Sequence, residues 1–289
     1  MALTDFVKIA RPQQWYKNLL VFLPLVFVGQ LFNLQSIKLT ILAFISLCSI
    51  SSANYIINDF IDLEKDKHHP EKKNRPLAAG TLKKTYAIIE AIILITAGLW
   101  LAFRFPNKLF FISVIALFAI TQTYSLFLKK QLFADILAIG ANFVIRASAG
   151  TFALDVKNSP WLILCTFFLS LYLSVGKRAS EFSFLGNEAK NHRETLTYYT
   201  KEITQPLLII STTLLITAYS LYSFLSERNS LLYTLPFALY VIFRYFYLIE
   251  IGSEIARHPE KVFKDKNMVT GIILWGITTL VLLYFPNFK

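Results

Sequence analysis

Cysteine is nearly absent from this chain. Its 289 residues hold two, Cys48 and Cys165, both inside apolar runs, which excludes a disulfide framework and a thiolate zinc site. Acidic side chains are scarce as well, with 18 Asp and Glu against 29 Lys and Arg. There is no glycine-rich phosphate loop of the nucleotide-binding kind, no low-complexity segment, and no polar stretch long enough to fold as a soluble domain. What fills the chain is apolar: 55% of the residues are hydrophobic and only 16% charged. That balance belongs to an integral membrane protein, read as a single membrane domain over 1–289. The first apolar run has no small-residue cleavage site after it, so it reads as a retained span and not a signal peptide.

Apolar runs near the 17–25 residues or so needed to cross a bilayer occur at roughly 16–33, 38–57, 85–103, 108–127, 133–154, 160–176, 206–226, 231–250 and 268–286. These nine candidates predict an all-α fold. Charge predicts its orientation. A cytoplasmic N-terminus puts Lys8, Arg11, Lys17, the basic cluster of 65–84, Lys129, Lys130 and the loops 177–204 and 251–267 inside. The other side keeps only Lys38, Arg104, Lys108, Lys157, Arg228 and Lys289. The positive-inside rule is then obeyed throughout, and nine spans leave the C-terminus outside a plasma or inner membrane. A net charge of +11 thus reports topology and anionic lipid, and nucleic acid need not be invoked. The long polar loops, about 58–84, 128–134, 177–204 and 251–267, all fall on the cytoplasmic side, so that is the working face.

The most informative segment is 58–80. Asp59, Asp62 and Asp66 follow one another at spacings of three and four, which on a helix places them on one narrow face with Asn58 on its flank. Three carboxylates that close repel one another unless a cation lies between them. Hard oxygen ligands, few in number, suit Mg²⁺ that keeps some water and bridges to phosphate oxygens. A basic run with Lys65, Lys67, Lys72, Lys73 and Arg75 follows at once. The plainer reading is a solvated loop of mixed charge. His68 and His69 border the aspartates, but imidazole is a poor partner for Mg²⁺, and they read as loop residues.

Polar residues inside the spans point the same way. Asp135, Asn142 and Arg146, at offsets of seven and eleven, superpose on one stripe of the fifth span. Charges at membrane depth line a cavity or pair with each other, so this stripe is either functional or an internal network that ties helices together. Arg244 is either functional or snorkels to the interface, and Glu90 and Glu250 sit near enough to span ends to be interfacial.

Four clusters face the cytoplasm: Arg11 to Asn18 with Trp15 and Tyr16 as interfacial anchors; the aspartate segment; Tyr124 and Ser125 leading through Lys129 and Lys130 to Asp135 and Arg146; and Lys177, Arg178 and Glu181 with His192, Arg193 and Tyr198. Lys17 and Asn18, one turn into a span, are more than an anchor requires. Together the clusters describe a pocket with one acidic, metal-binding edge and several cationic sides, suited to a polyanionic phosphate ligand.

The segment Asn58-Asp59-x-x-Asp62-x-x-x-Asp66 resembles the first aspartate-rich motif of the UbiA superfamily of intramembrane prenyltransferases. The likeness is closer to one branch, the decaprenyl-phosphate phosphoribosyltransferases. It is carried by Arg11-Pro-x-Gln14-Trp15-x-Lys17-Asn18, by His69-Pro70-x-Lys72 leading to Arg75-Pro76-x-Ala78-Ala79-Gly80, and by Tyr124-Ser125 with Leu128-Lys129. Asp135, Arg146-x-x-Ala149-Gly150, Lys177-Arg178-x-x-Glu181, Arg244-Tyr245, Pro259-Glu260 and Asp265 extend it over essentially the whole chain. One departure from the wider superfamily is informative: aromatic prenyltransferases carry a second aspartate motif between helices six and seven, whereas 177–204 has no aspartate and offers Lys177, Arg178, Lys190 and Arg193.

The resemblance implies nine helices around a central cavity open to the cytoplasmic face, Mg²⁺ as cofactor, and two ligands, 5-phosphoribosyl 1-diphosphate and a polyprenyl phosphate. Asp59, Asp62 and Asp66 would hold the metal, and Arg75, Lys129 and Arg146 further phosphate oxygens. Asp135 would complete the catalytic set. Lys17, Asn18, Lys177 and Arg178 would hold the lipid phosphate or the ribose 5-phosphate, with Asn58, Lys72, Tyr124 and Glu181 as further binding residues. Two other readings stand beside it: transfer of a prenyl group to an aromatic or other small acceptor, and transport of an anionic solute.

Overall fold

The computed structural model describes residues 3–68, 72–185, 194–226 and 229–285. Those residues are overwhelmingly helical. Eight of the helices are long and apolar enough to cross a membrane, and the chain is a multi-pass membrane protein. It divides into two compact units, the first made of 1–128 and 145–158, the second of 129–144 and 159–289.

The first unit contains α1 (Leu3–Ala10), α2 (Leu23–Phe27), α3 (Leu34–Ile61), α4 (Leu63–His68), α5 (Lys84–Phe103) and α6 (Lys108–Leu126). It also takes the second half of α7 (Ala134–Ala153). Two asparagines set where long helices begin. The Asn33 side chain accepts from the Ser36 amide at 3.1 Å and starts α3, and Asn107 accepts from the Leu109 amide at 3.0 Å and starts α6, each satisfying an amide that lacks an intrahelical partner. Leu47, Ile50, Phe110, Val114 and Leu117 form the centre of this unit's apolar packing. A second cluster, with Ile9, Ile56, Leu63 and Leu82, takes residues from just before and within the aspartate segment.

The expected span at 16–33 is not a long α-helix. Pro12–Phe22 forms a 3₁₀ helix of 11 residues, and α2 takes over at Leu23. The cause lies in two prolines. Proline lacks an amide hydrogen and fits only the first turn of a helix, so Pro12 and Pro24 each begin a new piece. In a 3₁₀ helix residues three apart eclipse, which puts Trp15, Asn18 and Val21 on one face. Asn18 and Val21 are buried there. Gly150 of α7 permits this approach, because a Cβ at that position would lie 2.2 Å from the Val21 carbonyl oxygen.

The second unit takes the first half of α7 together with α8 (Pro160–Leu185), α9 (Lys201–Leu225), α10 (Leu235–Glu250), α11 (Glu254–Arg257) and α12 (Lys266–Tyr284). Its core is built from Tyr172, Val175, Tyr199, Leu208, Tyr245 and Ile249 and their neighbours. The Tyr172 and Tyr245 rings meet edge to face at 5.4 Å, and the Tyr172 hydroxyl donates to the Ile242 carbonyl at 2.7 Å. α8 runs on to Leu185, so Lys177, Arg178 and Glu181 belong to its last turns and not to a loop. The segment 251–267, expected as loop, holds α11 and a 3₁₀ turn over Pro259–Lys264.

Candidate active site

The first unit gathers the aspartate segment. α3 ends at Asp62, whose amide donates to the Asn58 carbonyl at 2.9 Å, and the Asp66 amide in turn donates to the Asp62 carbonyl at 2.8 Å. Helical hydrogen bonding therefore carries through the junction with α4. Asn58 Nδ2 donates to Asp62 Oδ2 at 3.1 Å. Asp59 and Asp66 are buried, only 2% and 3% exposed.

Two arginines neutralise these carboxylates. Arg75 Nη1 donates to Asp59 Oδ1 at 3.0 Å and also to Asp66 Oδ2. Arg11 donates through Nη2 to the same Asp59 Oδ1, and its guanidinium lies 5.2 Å from the centre of the Tyr55 ring. Arg11 itself has left-handed backbone, φ 50° and ψ 59°, a conformation rare outside glycine and concentrated at functional positions. The other oxygen of Asp59 differs: Oδ2 is buried and has no hydrogen-bond partner among the described residues. Leaving a buried polar atom unpaired costs about 1–3 kcal/mol, so this oxygen marks a place for a cation or a donor. The donor set, carboxylates and an amide, suits Mg²⁺. Among the described residues no three carboxylate, His or Cys side chains already stand together as a ready cage, and Arg75 bridges two of the expected ligands.

A second polar set in this unit lies earlier along α3, before Asn58. Arg146 Nε donates to Asn18 Oδ1 at 2.8 Å, and Asn18 Nδ2 contacts Cys48 Sγ at 3.3 Å. Ser51 donates to the same Asn18 oxygen at 3.3 Å. Trp15 Nε1 donates to Ser52 Oγ at 3.0 Å. Gln122 of α6 donates to Asn54 Oδ1, while Asn54 Nδ2 is buried without a partner among the described residues. α3 and α4 thus carry polar groups from Cys48 to Asp66, and Asn18 and Arg146 are joined directly.

The second unit holds its own ionic cluster. Asp135, fully buried, accepts from Arg178 Nε at 3.1 Å through Oδ2 and from the Tyr199 hydroxyl through Oδ1. Arg178 Nη1 donates to Glu181 Oε2 at 2.7 Å, and Lys177 Nζ lies 3.8 Å from Glu181 Oε1. Burial, and then the hydrogen bond to Asp135, push the Tyr199 phenol above its ordinary range, so it remains a donor. The Asp135 and Arg146 stripe is therefore split: Asp135 is paired with Arg178, and Arg146 with Asn18.

The remaining expected residues are placed as follows. Lys17 lies 5.8 Å from the Tyr16 ring on the 3₁₀ segment; Lys72 starts the turn over Lys72–Asn74 whose carbonyl takes the Arg75 amide at 2.9 Å. Tyr124 is half-buried on α6. Lys129 sits in the turn Leu128–Lys130, where its carbonyl accepts from Thr195 Oγ1 at 3.3 Å. His69, Pro70, Lys190, His192, Arg193, Arg228 and Lys289 lie outside the described residues. Arg244 forms a two-pronged pair with Asp265, at 2.7 and 3.3 Å. That contact holds the Asp265 carboxyl below its usual range, while the same side chain caps α12 through the Met268 amide at 2.7 Å.

Sequence reasoning under-read three residues. Arg11 was visible beside Pro12, but nothing in its spacing links it to Asp59. Tyr55 precedes Asp59 by one helical turn, and its signal is an aromatic on the flank of the acidic face. Tyr199 adjoins Tyr198 and only burial separates them, 0% against 59% exposed.

An all-helical, multi-pass membrane architecture with a buried acidic segment at the end of one span defines the class, and similarity defines the family. The UbiA prenyltransferase family profile matches residues 20–263, and the chain belongs to that family. Among curated relatives, the decaprenyl-phosphate phosphoribosyltransferase of Mycolicibacterium smegmatis is 31% identical, with 98% of this chain and 93% of the relative covered. The protein of the same name from Corynebacterium glutamicum is 29% identical over 96% of this chain and 86% of its own length. A solved structure of a UbiA homolog from Archaeoglobus fulgidus bound to DMAPP and Mg²⁺ shares the fold, with a TM-score of 0.72 at 17% identity, covering 97% of this chain and 99% of that one.

Proposed function

We propose that this protein transfers 5-phosphoribose from 5-phosphoribosyl 1-diphosphate to a polyprenyl phosphate in the membrane, releasing diphosphate. The observation that carries this reading is the near-full-length similarity to two phosphoribosyltransferases, joined to two buried aspartates, Asp59 and Asp66, held by arginines.

Asp59, Asp62 and Asp66 would hold Mg²⁺, which when bound neutralises charge on the departing diphosphate. The chain's own groups supply the rest. Asn58 orients Asp62 through its amide. Arg75, tied to Asp59 and Asp66, and Arg11 are fork-shaped donors matched to phosphate oxygens. Arg146 and Asn18, joined at 2.8 Å, offer a buried cation and amide to a second phosphate, and Lys17, Lys72, Lys129, Lys177 and Tyr124 are further phosphate ligands. Asp135, with both oxygens engaged, positions Arg178 in company with Tyr199 and Glu181.

In the reaction, the bond from ribose C1 to the diphosphate oxygen breaks and a bond from C1 to the lipid phosphate oxygen forms. Attack from the opposite face of an α-diphosphate gives a β-linked product. The attacking phosphate is already an anion near neutral pH, so no strong base is needed, and positioning and electrostatics supply the acceleration. The polyprenyl tail extends into the bilayer. The basic loops 65–84 and 257–266 support a reading in which this chemistry faces the cytoplasm at a plasma or inner membrane.

Transfer of radiolabelled phosphoribose to polyprenyl phosphate by purified protein, with and without Mg²⁺, tests the reading. Metal-dependent formation of an acid-labile glycolipid is expected. Turnover of a prenyl diphosphate with an aromatic acceptor, and no glycolipid, would overturn it.

A further inference from the structure

We propose that Arg11 is an exchange partner of the metal site: it neutralises Asp59 until a metal–diphosphate ligand arrives, and then moves its guanidinium to the diphosphate. The inference rests on the acidic segment as a diphosphate site, and holds whether the diphosphate carries phosphoribose or another group.

Four observations lead here. Asp59 is 2% exposed, and its Oδ1 receives both Arg11 Nη2 and Arg75 Nη1. Its Oδ2 is buried with no partner among the described residues. A metal drawn to Asp59 therefore meets one open oxygen, beside another already held by two cations. Arg75 is the less mobile of the two, since it also grips Asp66 Oδ2. Arg11 has a different tether: it stacks on Tyr55 at 5.2 Å and rides on a left-handed residue directly before Pro12. That arrangement turns its side chain back onto α3 without a second carboxylate to anchor it among the contacts described.

The charge balance makes the consequence definite. Two guanidinium groups already offset most of the charge on Asp59, Asp62 and Asp66, so a divalent cation entering alone is only weakly attracted. Diphosphate reverses this, because it gives Arg11 a new anionic partner and frees Asp59. Metal and diphosphate must then bind with positive coupling, and by linkage each raises the affinity of the other by the same factor. Removing the Arg11 charge should uncouple them. The variant binds metal by itself more tightly and gains less from diphosphate.

The test is equilibrium Mn²⁺ binding to the full chain in lipid nanodiscs, read by the magnetic resonance signal of free Mn²⁺, with and without inorganic diphosphate. Free metal is corrected for the Mn²⁺–diphosphate complex in solution. Wild type is expected to bind Mn²⁺ alone weakly and to tighten at least about fivefold with diphosphate, the lower end of ordinary coupling. Arg11→Gln should bind Mn²⁺ alone at least about fivefold more tightly than wild type and lose most of the diphosphate effect. Arg104→Gln removes the same charge from a residue stacked on Trp100 and should behave as wild type. If Arg11→Gln does not fold, Arg11→Lys serves: it keeps the charge without the planar fork, and its diphosphate coupling should fall below wild type. An Arg11→Gln protein with unchanged or weaker Mn²⁺ affinity, or a folded Arg11→Lys with full coupling, overturns the proposal. Because the readout needs no transfer, a protein that fails to move phosphoribose yet shows the Arg11 effect refutes the reaction and leaves this inference standing.

Discussion

The cluster of Asp135, Arg178, Glu181 and Tyr199 decides between two uses of buried charge, and a double-mutant cycle separates them. Asp135 is fully buried and the Arg178 side chain is 6% exposed. Removing one partner of such a pair leaves the other charge stranded, which costs about 3–5 kcal/mol. Arg178→Met incurs that cost, because Asp135 loses its ion pair while Tyr199 still donates to it. Asp135→Asn is milder, about 1–3 kcal/mol, since Arg178 keeps Glu181 at 2.7 Å and the amide oxygen still accepts from Tyr199. The pair Asp135→Asn with Arg178→Met strands neither charge, so its cost should fall short of the sum by about 2 kcal/mol, within the range seen for contacting residues. Unfolding in mixed micelles measures all four proteins. Transfer per folded molecule should stay within about tenfold of wild type in Asp135→Asn, equivalent to about 1.4 kcal/mol, as befits a residue that positions and does not touch substrate. Additive costs, within about 0.5 kcal/mol, would refute the coupling. Loss of transfer by a well-folded Asp135→Asn would return Asp135 to the catalytic set.

Asp62→Asn should abolish transfer while extraction and thermal unfolding stay as in wild type; normal turnover by this variant would remove Asp62 from the metal site. Gly150→Ala should lower the unfolding temperature by an amount matching about 1–3 kcal/mol of overpacking, because its Cβ would lie 2.2 Å from the Val21 carbonyl; an unchanged melting curve would mean that the 3₁₀ segment does not pack there. Lys261 and Lys264 hold the Glu254 carboxyl down, from 4.5 to about 2. A depressed carboxylate contributes stability that is present above its unfolded value and lost as pH falls through the folded one. Amide protection over 254–264, corrected for intrinsic exchange, should therefore decline between pH 4.5 and about 2 and weaken in high salt, since these side chains are exposed; constant protection would show that the triad does not order the loop.

The helical architecture was legible because membrane spans write themselves in long apolar runs. The aspartate face was legible for a similar reason: spacings of three and four are a helical signature, and α3 and α4 continue across Asp62 by amide–carbonyl bonds. The partners were not. Arg11 reaches Asp59 across 48 positions and Arg178 reaches Asp135 across 43, and no local pattern records such pairings. Asp135 and Arg146 share a helical stripe, which suggested that they belong together, yet each is satisfied by a different element. Periodicity assigns a face, and only tertiary packing assigns the partner. The acidic and basic residue types narrow the chemistry, because a buried carboxylate and a guanidinium have few uses apart from each other, a metal or a phosphate.

A count of long α-helices need not be a count of spans. An α-helix over Pro12–Phe27 would rise about 24 Å at 1.5 Å per residue, short of a hydrocarbon core of about 30 Å. Wound as it is, with 11 residues in a 3₁₀ helix rising about 2.0 Å each before α2, the same stretch reaches about 30 Å. The tighter helix is the longer one, and it restores the length that the prolines would otherwise forfeit. It also holds Asn18 and Trp15 on the eclipsed face toward Ser51 and Ser52, so the same segment presents Asn18 to Arg146. Nine crossings are therefore expected from eight long α-helices. Thiol labelling of single cysteines placed at positions 2 and 288, by a reagent that does not cross the membrane, should find the two ends on opposite sides. Labelling from one side only would mean that Pro12–Phe27 enters and returns, and that the 3₁₀ winding serves the site without spanning the bilayer.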